Sequence, residues 1–442
     1  MTCKMILNSA DTDFSDRFVA LQSMKREQDA DVHADVSAII DAVRTDGDDA
    51  LVAYTKKFDR LDLKQTDMRV SAAEIDAAEA ACAPETRAAL ENAAARIADY
   101  HARQKPEDSR FTDAVGVELG HRWTPVDAAG LYVPGGLANY PSSVLMNAIP
   151  ARVAGVTRVA MVVPAPGGVI NPLVLAAAKY AGVNEIFRIG GAQAIAALAY
   201  GTATVAPVDV IVGPGNAYVA AAKKQVFGHV GIDMMAGPSE ILVVADADND
   251  PAWIAADLMS QAEHDDVAQS VLICDNAEFA DAVIAAVDVL LNDLPRADIA
   301  RRSWENFGAV IIVKDLMTQA ANLVNALAPE HLELAVEDPE ALARDIRHAG
   351  AIFLGRYTPE AVGDYIAGPN HVLPTARASR YASGLSVLDF MKRSSLVRCD
   401  AASLAEIGPD AMRLADEEGL HAHGRSISIR LNQRPAGSGK NG

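Results

Sequence analysis

Short aliphatic runs alternate with helix-period segments between residues 157 and 354, and that alternation leaves few folds open. Three strand–helix units come first, with strands expected over 157–163, 185–189 and 208–212 and helices over 171–181, 192–200 and 217–227. A second series follows, with strands over 241–244, 271–274, 309–313, 332–335 and 351–354 and helices over 251–264, 278–291, 316–327 and 340–348. Neighbouring parallel strands need a crossover of a dozen or more residues, so this pattern predicts parallel sheets covered by helices. The composition agrees: half of the residues are hydrophobic and only 5% aromatic, which suits Ala-rich helices on aliphatic strands. With 442 residues the chain exceeds one core, and the expected fold is α/β, two tandem Rossmann-like parallel-sheet domains with small terminal segments.

The joint between the two series falls near AGPSE (236–240), where a cleft is expected. Ahead of residue 117 the chain is helical. Val36, Ile39, Ile40 and Val43 form a stripe broken at Gly47, and a further helix is expected over 71–101, with His33 and His101 solvated. Packing these helices on the second sheet gives a larger, discontinuous domain over 26–131 and 241–384, with 132–240 as the second domain, expected to bind the cofactor. Residues 1–25, with Phe14, Phe18 and Leu21 at helical spacing, read as a docking arm. Residues 385–442 hold a helix over 401–418 and a tail after Leu431 that is expected to be disordered.

A formal charge of -20 argues against a nucleic-acid or anionic-membrane partner and favours a neutral or cationic small substrate. Cys3, Cys82, Cys274 and Cys399 lie too far apart for a zinc-thiolate motif or a disulfide framework. MTCKMILNSADTDF puts acids where a signal peptide needs an apolar stretch, and no run approaches the ~18 apolar residues of a membrane span. A cytoplasmic protein is expected.

Several polar stretches interrupt this pattern. GGAQ (190–193) and GPGN (213–216) each follow a strand and open a helix, where anions and nucleotides bind, although neither is G-x-G-x-x-G and a purely structural role fits as well. In SQAEHDD (260–266), Gln261 and His264 share one helix face and form half of a metal site, or else a solvated helix end. Glu330 and His331 in APEH offer two adjacent proton acceptors, or a dipole-favoured His beside a solvated Glu. Asp364 and His371 lie within one loop's reach, as a ligand pair or as a turn cap and a backbone-bonded His. Glu418, His421 and His423 cluster in EEGLHAH, where His-x-His suits a metal in an extended segment but a solvated terminus carries the same letters. Gln261, His264, Asp364 and one late histidine together make a mixed nitrogen and oxygen shell acceptable to Zn²⁺ or Mn²⁺.

In their order and spacing LYVPGG, PSSVLMNAIPA, GGAQAIAALAYGT, VDVIVGPGNAYV, IDMMAGPSEILV, SQAEHD, APEHLEL, GAIFLGRYTPEAVGDYIAGPNHVLPT, SGLSVLDFMKRSS and EGLHAH resemble the histidinol dehydrogenase family over residues 130–430. The resemblance implies a zinc- and NAD-dependent enzyme of histidine biosynthesis. It implies Gln261, His264, Asp364 and His423 as zinc ligands and Glu330 and His331 as bases. It implies NAD contacts at Tyr132, Gln193 and Asn216, and substrate contacts at Ser239, His371 and Glu418 together with His331 and the zinc ligands. It also implies a homodimer whose C-terminal segment brings Glu418 and His423 to the partner's site.

On that resemblance L-histidinol is oxidised through L-histidinal to L-histidine by two NAD⁺, with zinc orienting the substrate through its amine and imidazole. His331 would serve as base in both oxidations and Glu330 would activate water between them. A related dehydrogenase of another primary alcohol, such as a sulfonated diol, is the alternative; Glu418, His371 and His423 suit an amino-imidazole better than a sulfonate. A non-catalytic metal-binding protein is disfavoured by the intact Glu330 and His331.

Overall fold

The computed structural model describes residues 5–24, 32–64, 68–135, 140–183, 185–234 and 237–432. In chain order the strands are β1 (Met5–Asn8), β2 (Ser109–Thr112), β3 (Glu118–Pro125), β4 (Ala128–Tyr132), β5 (Arg158–Val162), β6 (Glu185–Phe187) and β7 (Val210–Val212). They continue with β8 (Gly231–Ile232), β9 (Glu240–Ala245), β10 (Gln269–Cys274), β11 (Ala309–Ile312), β12 (His331–Ala335), β13 (Ala351–Leu354) and β14 (Met391–Arg398). Two parallel sheets form, as the alternation requires: five strands in the order β6-β5-β4-β7-β8 and six in the order β1-β11-β10-β9-β12-β13. Both belong to one compact unit, 1–104 with 126–390.

In the five-stranded sheet Gly130 of β4 lies opposite Ala160 of β5 and Ile211 of β7. Helix Gly191–Tyr200 is buried from Ala192 through Ala199 on every side, so the sheet covers only part of it and a second layer must cover the rest. Helix His33–Asp46 supplies that layer: Val36, Ile39, Ile40 and Val43 share a core with Ala194, Leu198 and Ala222. The early helices therefore pack on the five-stranded sheet, where the sequence had suggested the six-stranded one. Gly47, at φ 58, separates this helix from another, Asp48–Asp59, and the single helix expected over 71–101 is two, Ala72–Ala81 and Pro84–Ala102, with Pro84 opening the second. His101 is fully buried, not solvated, with Nδ1 2.8 Å from the Ile97 carbonyl.

In the six-stranded sheet one core holds helices Pro251–Ala262, Ala277–Leu290 and Ala297–Phe307, and another holds Phe14–Gln22 and Leu316–Leu327. Phe18 and Leu21 lie in the second core, and β1 pairs in parallel with β11, so the expected docking arm is an edge strand and helix of this sheet. Only Met5, Ile6 and Leu7 of β1 are apolar and acidic residues follow closely, so no strand–helix alternation marks it.

The second unit comprises 105–125 and 391–442. It pairs β14-β3-β2 antiparallel and carries helices Ala401–Glu417 and His421–Ser428. This sheet went unforeseen because β2 is exposed throughout and β14 nearly so, which leaves no hydrophobic alternation to read. Most of the tail expected to be disordered lies outside the described residues. No described helix is long and apolar enough to cross a membrane.

Candidate active site

In the five-stranded sheet the winding reverses between β4 and β7, and ligands of open α/β sheets bind at the carboxyl ends of such strand pairs. Tyr132 ends β4 and is 3% exposed; its hydroxyl accepts the Gly191 N–H at 3.1 Å, and burial pushes its phenol up to about 12. Gly213 follows β7 at φ 110, and a Cβ there would lie 2.1 Å from the Tyr132 carbonyl oxygen, so only glycine fits. Asn216 then caps helix Ala217–Val226, its Oδ1 accepting from Tyr218 N at 3.1 Å and Val219 N at 3.2 Å. Gln193 is buried against the Gly191 turn, and its Oε1 has no hydrogen-bond partner among the described residues. Tyr132 and Asn216 thus flank this reversal, while Gln193 opens the helix after edge strand β6, which is tied to Tyr132 through the Gly191 N–H.

In the six-stranded sheet the candidate residues gather at the other edge. Its own reversal, at the carboxyl ends of β9 and β12, is occupied by Asp246, whose two carboxylate oxygens each accept from Arg356 at 2.8 Å. The polar cluster lies instead at the amino edge. Helix Pro251–Ala262 carries the chain back there and delivers Gln261 and His264, and helix Leu316–Leu327 delivers Glu330 and His331 at the start of β12. Helix Glu360–Tyr365 contributes Glu360 and Asp364, and Ser239 precedes β9. Gln261 Nε2 lies 3.0 Å from His264 Nδ1, but the helix expected to run to residue 264 ends at Ala262, so the two meet across the turn that follows it and not on one helix face.

His331 is held through one ring nitrogen. Its Nδ1 lies 3.0 Å from the Glu240 carbonyl, which can only accept, so Nδ1 carries the proton and Nε2 presents its lone pair. Nε2 has no hydrogen-bond partner among the described residues and faces Glu360 Oε1 at 3.6 Å and Asp364 Oδ1 at 3.9 Å. Burial holds its pKa below the ordinary histidine value; Asp364 opposes that shift, and His264 and His371 add to it. Glu330 accepts the Glu240 N–H at 2.9 Å on Oε2. His371 directs Nδ1 to the Asp364 carbonyl at 3.0 Å and Nε2 to Ser143 Oγ at 3.5 Å, and burial lowers its pKa too.

Glu360, Glu333 and Asp257 were not singled out from the sequence. Burial, then the neighbouring Asp364 carboxylate, raises Glu360 to about 9, so it is protonated at neutral pH. Its backbone N–H donates to Glu333, and Ser260 Oγ donates to its Oε2 at 3.3 Å. Glu333 in turn hydrogen-bonds Asp257; burial raises Glu333 well above, and Asp257 to about 6, so the pair holds a proton. Glu333 was legible in part, since it follows His331 by two residues on one strand face.

These donors suit a divalent ion. Gln261 Oε1 is buried without a partner among the described residues, Asp364 brings a negative charge, and ligand atoms of His331, Glu360 and Asp364 lie within 4.8 Å of one another. Glu418 and His423 belong to the second unit, both exposed. His421 and His423 sit on helix His421–Ser428, where residues two apart face different directions, so the extended His-x-His ligand pair is not formed.

A family model described as histidinol dehydrogenase matches residues 22–431. The histidinol dehydrogenase of Rhodospirillum rubrum is 64% identical over 427 residues, 97% of this chain and 98% of that protein. That of Rhizobium meliloti is 62% identical over 426 residues, 96% of this chain and 98% of its own length. The crystal structure of histidinol dehydrogenase from Elizabethkingia anophelis superposes with a TM-score of 0.93 at 36% identity, covering 98% of this chain and 99% of that one.

Proposed function

The chain belongs to the histidinol dehydrogenase family, a family of oxidoreductases, and from that premise we propose that it oxidises L-histidinol through L-histidinal to L-histidine with two NAD⁺. The reading includes one zinc per subunit, a cytoplasmic homodimer, and a place in histidine biosynthesis. The observation that carries the chemistry is the buried His331, with Nδ1 fixed on the Glu240 carbonyl and Nε2 left as acceptor beside Asp364.

Gln261, His264 and Asp364, with His423 from the other subunit, are the residues that would hold zinc, which when bound fixes the substrate's amine and imidazole. His331 Nε2 then takes the hydroxyl proton as hydride leaves the carbinol carbon for the nicotinamide. Glu330, held by the Glu240 N–H, takes a proton from water as it adds to the aldehyde. His331 acts again in the second oxidation, so two bases serve a four-electron change. Ser239, His371 and Glu418 would line the substrate pocket, with Tyr132, Gln193 and Asn216 at the cofactor. The switch-point turn at Gly213, with the Gly191 turn hydrogen-bonded to Tyr132 beside it, supports the NAD assignment.

The unpartnered apolar side chains support the homodimer. On the second unit Ile407, Leu414, Leu420 and Ile429 are exposed, near Glu418 and His423 in sequence. On the first unit Tyr357 and Tyr365 are 87% and 61% exposed around the helix that carries Asp364.

His264→Ala tests the reading, with bound zinc and NADH formation measured together. Loss of both is expected. Full metal content in the variant would remove His264 from the ligand set.

A further inference from the structure

We propose that Lys223 and Asp233 form a buried clamp that positions the cofactor turn, so that this ion pair sets the affinity for NAD without touching it. The proposal rests on the assignment of NAD to the β4–β7 reversal.

The Lys223 and Asp233 side chains are 4% and 1% exposed and form a salt bridge. Such a pair gives up two hydration shells, and an apolar pair of similar volume is often at least as stabilising, so stability alone accounts for it poorly. What the pair does locally is specific. Asp233 Oδ2 accepts the Gly213 N–H at 2.8 Å, and Lys223 Nζ donates to the Gly213 carbonyl at 3.0 Å. Both polar groups of one residue are therefore held by the two members of one ion pair.

That residue is packed too closely against β4 to carry a side chain. Gly213 has φ 110 and lies against the carbonyl of Tyr132, so rotation of its peptides would break both contacts or collide with β4. The turn runs directly into Asn216, whose side chain caps helix Ala217–Val226, and Lys223 sits two turns further along that same helix. Asp233 follows β8, at the start of the segment that leads to Ser239 and β9. Three pieces of chain meet at one peptide: the end of β7, the helix whose N-terminus faces the crevice, and the link to the substrate-binding sheet. A loosened Gly213 would let Asn216 and the helix N-terminus drift, and the loss would fall on the dinucleotide and spare the proton chemistry of Glu330 and His331.

The test measures NAD binding to the zinc-loaded protein by calorimetry, and steady-state KM for NAD and for histidinol, in Asp233→Asn and Lys223→Met. The expected result is a rise in Kd and KM for NAD on the order of tenfold, as when a charge-assisted hydrogen bond is lost, with the histidinol KM and metal content of the parent. An NAD KM within twofold of the parent in a folded variant, or an equal rise in both KM values, overturns the proposal. Should the single variants fail to fold, Lys223→Met/Asp233→Leu removes both charges together. It should fold and still bind NAD weakly; parental affinity, or failure to fold, overturns the clamp. Asn216→Ala and Gln193→Ala separate the two levels. If neither weakens NAD binding, the cofactor-site assignment fails; if they do and the clamp variants do not, only the clamp fails.

Discussion

Replacing Glu360 by glutamine should change how the metal-stripped protein responds to pH. Glu360 is 1% exposed, and burial beside Asp364 raises its carboxyl from 4.5 to about 9. Between those values the folded state holds a proton that the unfolded state has released, so stability falls as pH rises. The slope for one group is about 1.36 kcal/mol per pH unit, which gives a loss of about 3 kcal/mol between pH 5.5 and 7.5. Glutamine keeps the shape and hydrogen-bonding capacity of the neutral acid and cannot ionise. Glu333 and Asp257, also raised by burial, impose a slope of the same sign, but it is common to parent and variant and cancels in their difference. Urea unfolding of the chelator-treated proteins at pH 5.5 and 7.5 measures that difference directly. The variant should gain about 3 kcal/mol on the parent between the two conditions. Parallel pH dependences for the two proteins would refute the claim that Glu360 is buried as a neutral acid.

Two further outcomes concern the chemistry. Glu330→Gln should leave the oxidation of histidinol to histidinal near the parental rate and depress the oxidation of histidinal by on the order of a hundredfold or more, since a general base contributes that much; rapid-mixing assays of each half-reaction would show equal losses if the division of labour is wrong. Mixing inactive His331→Ala and His423→Ala proteins should restore part of the activity through hybrid dimers, and no recovery despite demonstrated subunit exchange would argue for a site built within one chain.

The alternation of strands and helices could be read from the chain because most strands of the two parallel sheets are largely aliphatic runs, and Leu316–Leu327 and Ala351–Leu354 have the expected boundaries. Packing was less legible. That Val36 and Ile40 cover the Gly191–Tyr200 helix follows from that helix being apolar on all sides, a clue that identifies a need for cover without naming the cover. The antiparallel sheet escaped because β2 and β14 bury little, and His-x-His misled because two residues fit both a strand and a helix. Among the candidate site residues, Gln261 and His264 could be paired from their three-residue spacing, and their side chains do meet. Glu360 did not, since nothing local marks a glutamate that becomes buried only when its helix returns to the amino edge beside His331. The partner of Nδ1 on His331 was invisible for a different reason: it is a backbone carbonyl on the neighbouring strand, set by register and not by residue type.

The central claim is that one site, organised by a metal held at Gln261, His264 and Asp364, carries out both oxidations on an amino-imidazole alcohol. The measurement that meets it most directly is the stoichiometry of NADH formed per L-histidinol consumed by purified protein, before and after chelation and zinc return. The account predicts two NADH per histidinol with histidine as product, loss of both on chelation, and recovery with zinc. One NADH with histidinal released, or two that survive complete metal removal, would contradict it.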